Sequence, residues 1–140
     1  MSASILLADD QPMFRQGLRA VLEREGFDVI GEAEDGRSAV RLAVELHPAI
    51  VVMDIVMPLL NGIDAARALQ KRTHGRSQAV LLTMYEEDAY ALEALRAGIR
   101  GYVFKAQAAE DLVTAIRAVL RGDIYLSPAI SATLVNTFRT

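Results

Sequence analysis

Four short apolar runs in this chain each stop at a polar residue. Ser4 to Ala8 (SILLA) ends at Asp9 and Asp10, Ile50 to Met53 at Asp54, Ala79 to Leu82 at Thr83, and Gly101 to Phe104 at Lys105. Runs of this length, rich in branched residues and lacking alternation, read as strands buried on both faces. A fifth run, Phe27 to Ala33, places Phe27, Val29 and Gly31 opposite Asp28, Ile30 and Glu32 and predicts a strand of alternating faces.

Helical periodicity fills the intervals. Pro12 suits a first helical turn, and Phe14, Leu18, Val21 and Leu22 follow on one face up to Gly26. Asp35-Gly36 leads into a helix bearing Val40, Ala43 and Val44, which His47-Pro48 stops; His47, with no acidic or histidine partner nearby, reads as structural. Asn61 caps a third helix with Asp64 at its third position, and that helix runs to about Thr73. Arg72 to Gln78 is a polar loop. Glu86, Glu87 and Asp88 crowd the start of a fourth helix, where the helix dipole favours anions, and Gly98 closes it. Leu112, Ala115, Ile116, Val119 and Leu120 form the stripe of a fifth helix before Gly122. Asp123 to Leu126 reads as a connector, and Ser127-Pro128 as the cap and first turn of a sixth helix with Ile130, Leu134 and Phe138 on one side.

Five alternations of strand and helix demand a parallel sheet with helices on both faces, because each crossover is right-handed and needs a helix. The expected fold is therefore α/β and doubly wound, a flavodoxin-like (βα)5 three-layer sandwich with strand order 2-1-3-4-5 and one extra C-terminal helix. A length of 140 residues fits one domain. No cysteine is present, which excludes thiol catalysis, thiolate metal sites and disulfides and fits a cytoplasmic location. No apolar run approaches a membrane span, and no basic leader precedes the first strand. Fifteen basic against eighteen acidic residues, a net charge of −3, argue against nucleic-acid binding through a basic surface.

Charge placement carries the chemistry. In the expected strand order Asp9, Asp10 and Asp54 converge at the carboxyl edge of the sheet, where open α/β folds keep their sites, with Thr83 and Lys105 facing them. Asp54 alone could be a turn cap; four strands ending in functional groups at one edge is a stronger signal. Three adjacent carboxylates repel one another and either take up protons or hold a hard cation, for which Mg²⁺ is the expectation. Asp54 would then be a nucleophile toward a phosphoryl group, with the metal, Lys105 and Thr83 offsetting the developing charge.

Asp9-Asp10, the run Asp54-x-x-Met57-Pro58-x-x-Asn61-Gly62, Thr83, and Gly101-Tyr102-x-x-Lys105 together resemble the receiver domain of bacterial two-component response regulators, from Ser4 to about Gly122. The resemblance implies that Asp54 accepts a phosphoryl group from a phosphohistidine on a sensor histidine kinase. It also implies that Asp10, Asp54 and the Val56 carbonyl bind Mg²⁺, with Asp9 acting partly through water, and that Lys105 contacts the phosphoryl group. Thr83 and Tyr102 resemble the family's switch pair. LLTMYEEDAYALEALRAGIRGYVFK and the trailing GDIYLSP are similar to the LuxR/FixJ/NarL-type subfamily, whose receivers precede a DNA-binding helix-turn-helix domain. The expected organisation is a receiver over 1–122 and a linker with an amphipathic helix over 123–140, the output domain being absent, with homodimer formation on phosphorylation and DNA contacted only through that domain. The expected role is signalling rather than enzymatic.

Two positions depart from the pattern. Ala106 follows Lys105 where many receivers carry a cis proline, so the geometry of that peptide is open. Met84 follows Thr83 where a small residue is common, and its long side chain could narrow access to Asp54. Two rival readings fit less well. A flavodoxin-like cofactor binder would need a hydroxyl- and glycine-rich loop where Asp9-Asp10-Gln11-Pro12 stands, and a haloacid-dehalogenase-type phosphatase would need an acid where Val56 stands.

Overall fold

A computed structural model describes residues 3–84, 88–128 and 131–132, with the backbone alone for 88–90. Strands β1 (Ser4–Ala8), β2 (Asp28–Ala33), β3 (Ile50–Asp54), β4 (Gln78–Thr83) and β5 (Gly101–Phe104) alternate with helices α1 (Pro12–Arg24), α2 (Gly36–Leu46), α3 (Gly62–Arg72), α4 (Asp88–Arg96) and α5 (Ala108–Leu120). The sheet is parallel in the order β2-β1-β3-β4-β5, as the sequence predicts, and extends by a sixth strand, β6 (Tyr125–Leu126), beside β5.

Alternation along the central strands sorts the core into two layers. Leu6, Val51, Met53, Leu81 and Tyr102 pack under Ala39 and Ala43 of α2, Ile63 and Leu69 of α3, and Ala91 and Ala94 of α4. Ile5, Leu7, Val52, Val80, Leu82 and Val103 face the other way, onto Leu18 and Leu22 of α1 and Leu112, Ile116 and Val119 of α5. Each buried leucine or isoleucine contributes about 1.5–3 kcal/mol of transfer free energy. Leu120, assigned to the α5 stripe from its spacing, lies at that helix's end and is largely exposed.

The strict alternation expected of the second strand is broken. Ile5 pairs with Val29 but Leu6 with Gly31, so Ile30 is the extra residue of a bulge. The bulge moves the inward positions to the other face: Val29 joins the α1/α5 layer and Ala33 the α2/α3 layer.

The segment read as a connector is also different. Tyr125 donates its N–H to the Arg100 carbonyl and Ser127 its N–H to the Tyr102 carbonyl, pairing β6 with the otherwise open edge of β5. Ser127 is fully buried, and its hydroxyl accepts the Phe104 N–H at 2.8 Å instead of capping a helix. Its carbonyl does accept from Ser131 at 2.9 Å, the bond that opens a helical turn. Ile130, Leu134 and Phe138 of the expected sixth helix, and Glu86 and Glu87 before α4, lie outside the described residues.

Other local readings hold. Asn61 Oδ1 accepts from the Asp64 N–H at 2.9 Å, Asp35 caps α2 through the Ser38 N–H at 2.7 Å, and His47 ends α2 in a left-handed conformation. No peptide bond among the described residues is cis, which settles Lys105–Ala106 as trans; Lys105–Gln107 forms a 3-10 turn. Among the described residues no helix is long and apolar enough to cross a membrane.

Candidate functional site

The register fixes where each polar residue sits. Ala8 lies level with Met53, Asp54 with Leu82, and Thr83 with Phe104, so Asp9, Asp54, Thr83 and Lys105 emerge side by side at the carboxyl edge. Ligand oxygens of Asp9, Asp10 and Asp54 lie within 4.8 Å of one another. Asp9, Asp54, Thr83 and Lys105 are buried, whereas Asp10 reaches solvent.

Lys105 stands at the centre. Its Nζ is 2.7 Å from Asp54 Oδ2, 2.9 Å from Asp9 Oδ2 and 2.8 Å from Gln11 Oε1, and it lies 4.4 Å from the centroid of the Phe14 ring. The Asp9 contact is an ion pair off the line of a hydrogen bond, so Asp9 Oδ2 accepts none although it is buried. Burial pushes the Asp54 carboxyl above the usual range, against the Lys105 ammonium and the Val56 N–H, which donates to Oδ1 at 3.2 Å; the Asp9 charge pushes it further up. Burial also works against the Lys105 ammonium, but Asp54 and Asp9 together outweigh it and hold its pKa above the ordinary value. The two directions are compatible because two buried carboxylates share one ammonium. The deficit of positive charge falls on the carboxylates.

That deficit and the donor set fit a hard divalent cation. Three converging carboxylates offer oxygen ligands alone, one of them a buried oxygen with no hydrogen bond, and Lys105 neutralises only one unit of their charge. Val56 lies two residues past Asp54 on the loop that leaves β3, its side chain exposed.

Helix starts hold this edge together. Gly62 opens α3 with its N–H on the Ile55 carbonyl at 2.8 Å. A Cβ there would fall inside contact distance of the Asp54 carbonyl oxygen and 2.9 Å from Ile55 Cα, so only glycine lets the helix pack against the end of β3. Tyr102 is buried in the α4 layer, on the opposite sheet face from Val103, and lies two residues along β5 from Phe104, which is level with Thr83. Met84 is exposed and, with Gln11, Phe14, Lys105 and Ala106, lines a cleft of about 260 Å³ at the site's mouth.

Two residues join the site without a sequence reading of their own. Gln11 reaches Lys105 with its side chain while its N–H donates to Asp9 Oδ1 at 2.8 Å. Arg15, mostly buried, donates to the Asp9 carbonyl at 2.6 Å and to Glu32 at 2.6 Å, and Arg19 takes the other Glu32 oxygen, which ties the β1–α1 loop to β2. A legible signal existed for each: glutamine is a poor residue for a helix cap, and Arg15 falls off the apolar face of α1 toward the acids of β2.

The family model of the response regulator receiver domain matches residues 5–117. Transcriptional regulatory protein DegU of Brevibacillus brevis is 32% identical over 136 residues, covering 96% of this chain and 57% of the relative. The crystal structure of a LuxR-family two-component response regulator from Aurantimonas sp. SI85-9A1 is similar with a TM-score of 0.94 and 38% identity over 100% of both chains. The isolated REC domain of RcsB from Salmonella enterica serovar Typhimurium, in the presence of the phosphomimetic BeF3−, is similar with a TM-score of 0.83 and 28% identity, covering 95% of this chain and 99% of that one. The chain spans about three-fifths of the length of the curated relatives it matches. With the acid cluster, the lysine and the hydroxyl placed at one sheet edge in this order, the chain belongs to the response regulator receiver domain family, alongside LuxR-type two-component regulators.

Proposed function

We propose that the domain is a phosphoacceptor switch in which Asp54 takes a phosphoryl group from a phosphohistidine of a sensor histidine kinase. The observation that carries this reading is Lys105 Nζ at 2.7 Å from Asp54 Oδ2 in a buried edge that also holds Asp9 and Asp10. An Asp54 oxygen forms the new O–P bond as the donor's P–N bond breaks, and the electron pair leaves on the imidazole nitrogen. Lys105 then exchanges a carboxylate contact for a phosphoryl oxygen. Asp9, Asp10, Asp54 and the Val56 carbonyl would hold Mg²⁺, which when bound offsets phosphoryl charge.

The rest of the switch follows from the neighbouring strands. Thr83 ends the strand beside Asp54 and supplies a hydroxyl to the phosphoryl group; Tyr102, two positions along β5 from the residue level with Thr83, repacks when the loop after β4 follows that hydroxyl. A coupling of about 1–3 kcal/mol makes this a population shift rather than a rigid transition. The receiver covers 1–122, and 123–140 is a linker toward a transcription-regulating, DNA-binding output domain, a reading that the similarity to the transcriptional regulatory protein DegU supports. The protein acts in the cytoplasm, and phosphorylation promotes a homodimer.

Incubation with acetyl phosphate, with and without Mg²⁺, followed by intact mass tests the reading. A single labile phosphoryl adduct that needs Mg²⁺ is expected. Rapid release of free phosphate with no adduct would point to a phosphatase instead.

A further inference from the structure

The Lys105 ammonium donates hydrogen bonds to Asp54 Oδ2 and Gln11 Oε1, and Asp9 Oδ2 stands beside it at 2.9 Å as an ion-pair partner. Gln11 differs from the other two in being neutral and exposed to solvent. It also occupies the cap position of α1, where its side chain makes no bond to the helix. Serine, threonine, aspartate or asparagine at that position would satisfy an orphan N–H of the first turn. The helix forgoes its cap, and the amide that could not provide one reaches across to β5 instead. The residue is anchored at both ends, since its own N–H is held by Asp9 Oδ1 at 2.8 Å. Phe14, one turn further along α1, closes the remaining side of the ammonium with its ring.

We propose that Gln11 is a positioning residue for Lys105, holding the ammonium at the mouth of the acid cluster while it trades a carboxylate for an incoming phosphoryl oxygen. This rests on the phosphoacceptor reading above. Without an outer acceptor, the two carboxylates draw Nζ inward, away from the cleft that Gln11, Phe14, Met84 and Ala106 line and through which a donor must approach. With Gln11 in place, one bond to Lys105 persists throughout the exchange. Because the acceptor is neutral, it adds no charge to repel an anionic donor.

The decisive variant is Gln11→Asn. Asparagine is a strong helix cap with a side chain one methylene shorter, so it should bond the first turn of α1 and leave Lys105. Thermal stability should stay level or rise, yet phosphorylation by acetyl phosphate at saturating Mg²⁺ should slow about tenfold, the rate equivalent of about 1.4 kcal/mol. A merely structural residue would move both readouts together. Gln11→Met, close in length and without an acceptor, should show the same slowing. The chain has only two lysines, Lys71 and Lys105, so ¹⁵N-lysine labelling gives an ammonium spectrum with one buried and one exposed signal. The Lys105 ammonium protons should exchange with water faster in both variants. Variants phosphorylated at the wild-type rate, or an unchanged Lys105 signal, would overturn the proposal while leaving the phosphoacceptor reading intact. A wild-type chain that takes up no phosphoryl group would overturn both.

Discussion

Gly62→Ala should damage the domain far more than an alanine usually does, and the reason is backbone rather than side-chain packing. The added Cβ would meet the Asp54 carbonyl oxygen, Ile55 Cα at 2.9 Å and the Asp54 carbonyl carbon at 3.0 Å, none of which can turn away as a side chain could. Overpacking against movable side chains costs about 1–3 kcal/mol, so this contact belongs at the top of that range, about 3 kcal/mol. A chain of this length has an unfolding entropy of about 0.3 kcal/mol/K, so 1 kcal/mol is worth about 3 °C and the expected loss in Tm is about 10 °C. Relief requires the start of α3 to move away from β3, which carries the loop after Asp54 with it, so phosphorylation by acetyl phosphate should slow in the surviving folded fraction. Gly17→Ala is the control: it sits within α1, a Cβ there meets nothing within 4 Å, and it should gain about 0.5–1 kcal/mol, or about 2–3 °C. Thermal melts followed by circular dichroism read both. A Tm for Gly62→Ala within about 2 °C of wild type would refute the close approach of α3 to β3.

Ser127→Ala strands the partly buried Phe104 N–H and should cost about 1–3 kcal/mol, with faster amide exchange at Phe104; unchanged exchange there would mean β6 does not hold the β5 edge. Mg²⁺ should raise the Tm at neutral pH by binding the folded acid cluster, and Asp10→Ala should remove most of that shift; equal shifts in both proteins would place the ion elsewhere. Arg15, then Arg19, hold the Glu32 carboxyl below its ordinary pKa against the effect of burial. Its contribution to stability is therefore present above the ordinary glutamate range and is lost as pH falls through the depressed folded value. Glu32→Gln should lower stability at neutral pH and flatten the acid limb in urea titrations, and parallel curves for the two proteins would contradict this.

Most of the site was legible because charge is expensive in a buried strand. Asp9, Asp54, Thr83 and Lys105 each end an apolar run, and a parallel sheet leaves one edge where four such ends can meet. The strand order then brought three carboxylates together without further information. What escaped depends on contacts that have no local period. β6 is two residues long, Tyr125 and Leu126, too short for any alternation to register. Ser127 looks like a helix cap because serine before proline usually is one, yet its hydroxyl went to a strand 23 residues away. The Ile30 bulge is invisible because the alternation of β2 runs on through it in the sequence while the pairing with β1 slips. Gln11 and Arg15 act through long side chains across elements, to Lys105 and Glu32, and spacing along one helix says nothing about such reach.

The central claim is that Asp54, and no other residue, carries the phosphoryl group. Borohydride reduction of the chain after acetyl phosphate and Mg²⁺ treatment converts an aspartyl phosphate to homoserine, and tandem mass spectrometry of the digest locates it. Homoserine at position 54, absent from Asp54→Asn, is the predicted result; homoserine at position 9 or 10, or a phosphoryl adduct undiminished in Asp54→Asn, would contradict the account.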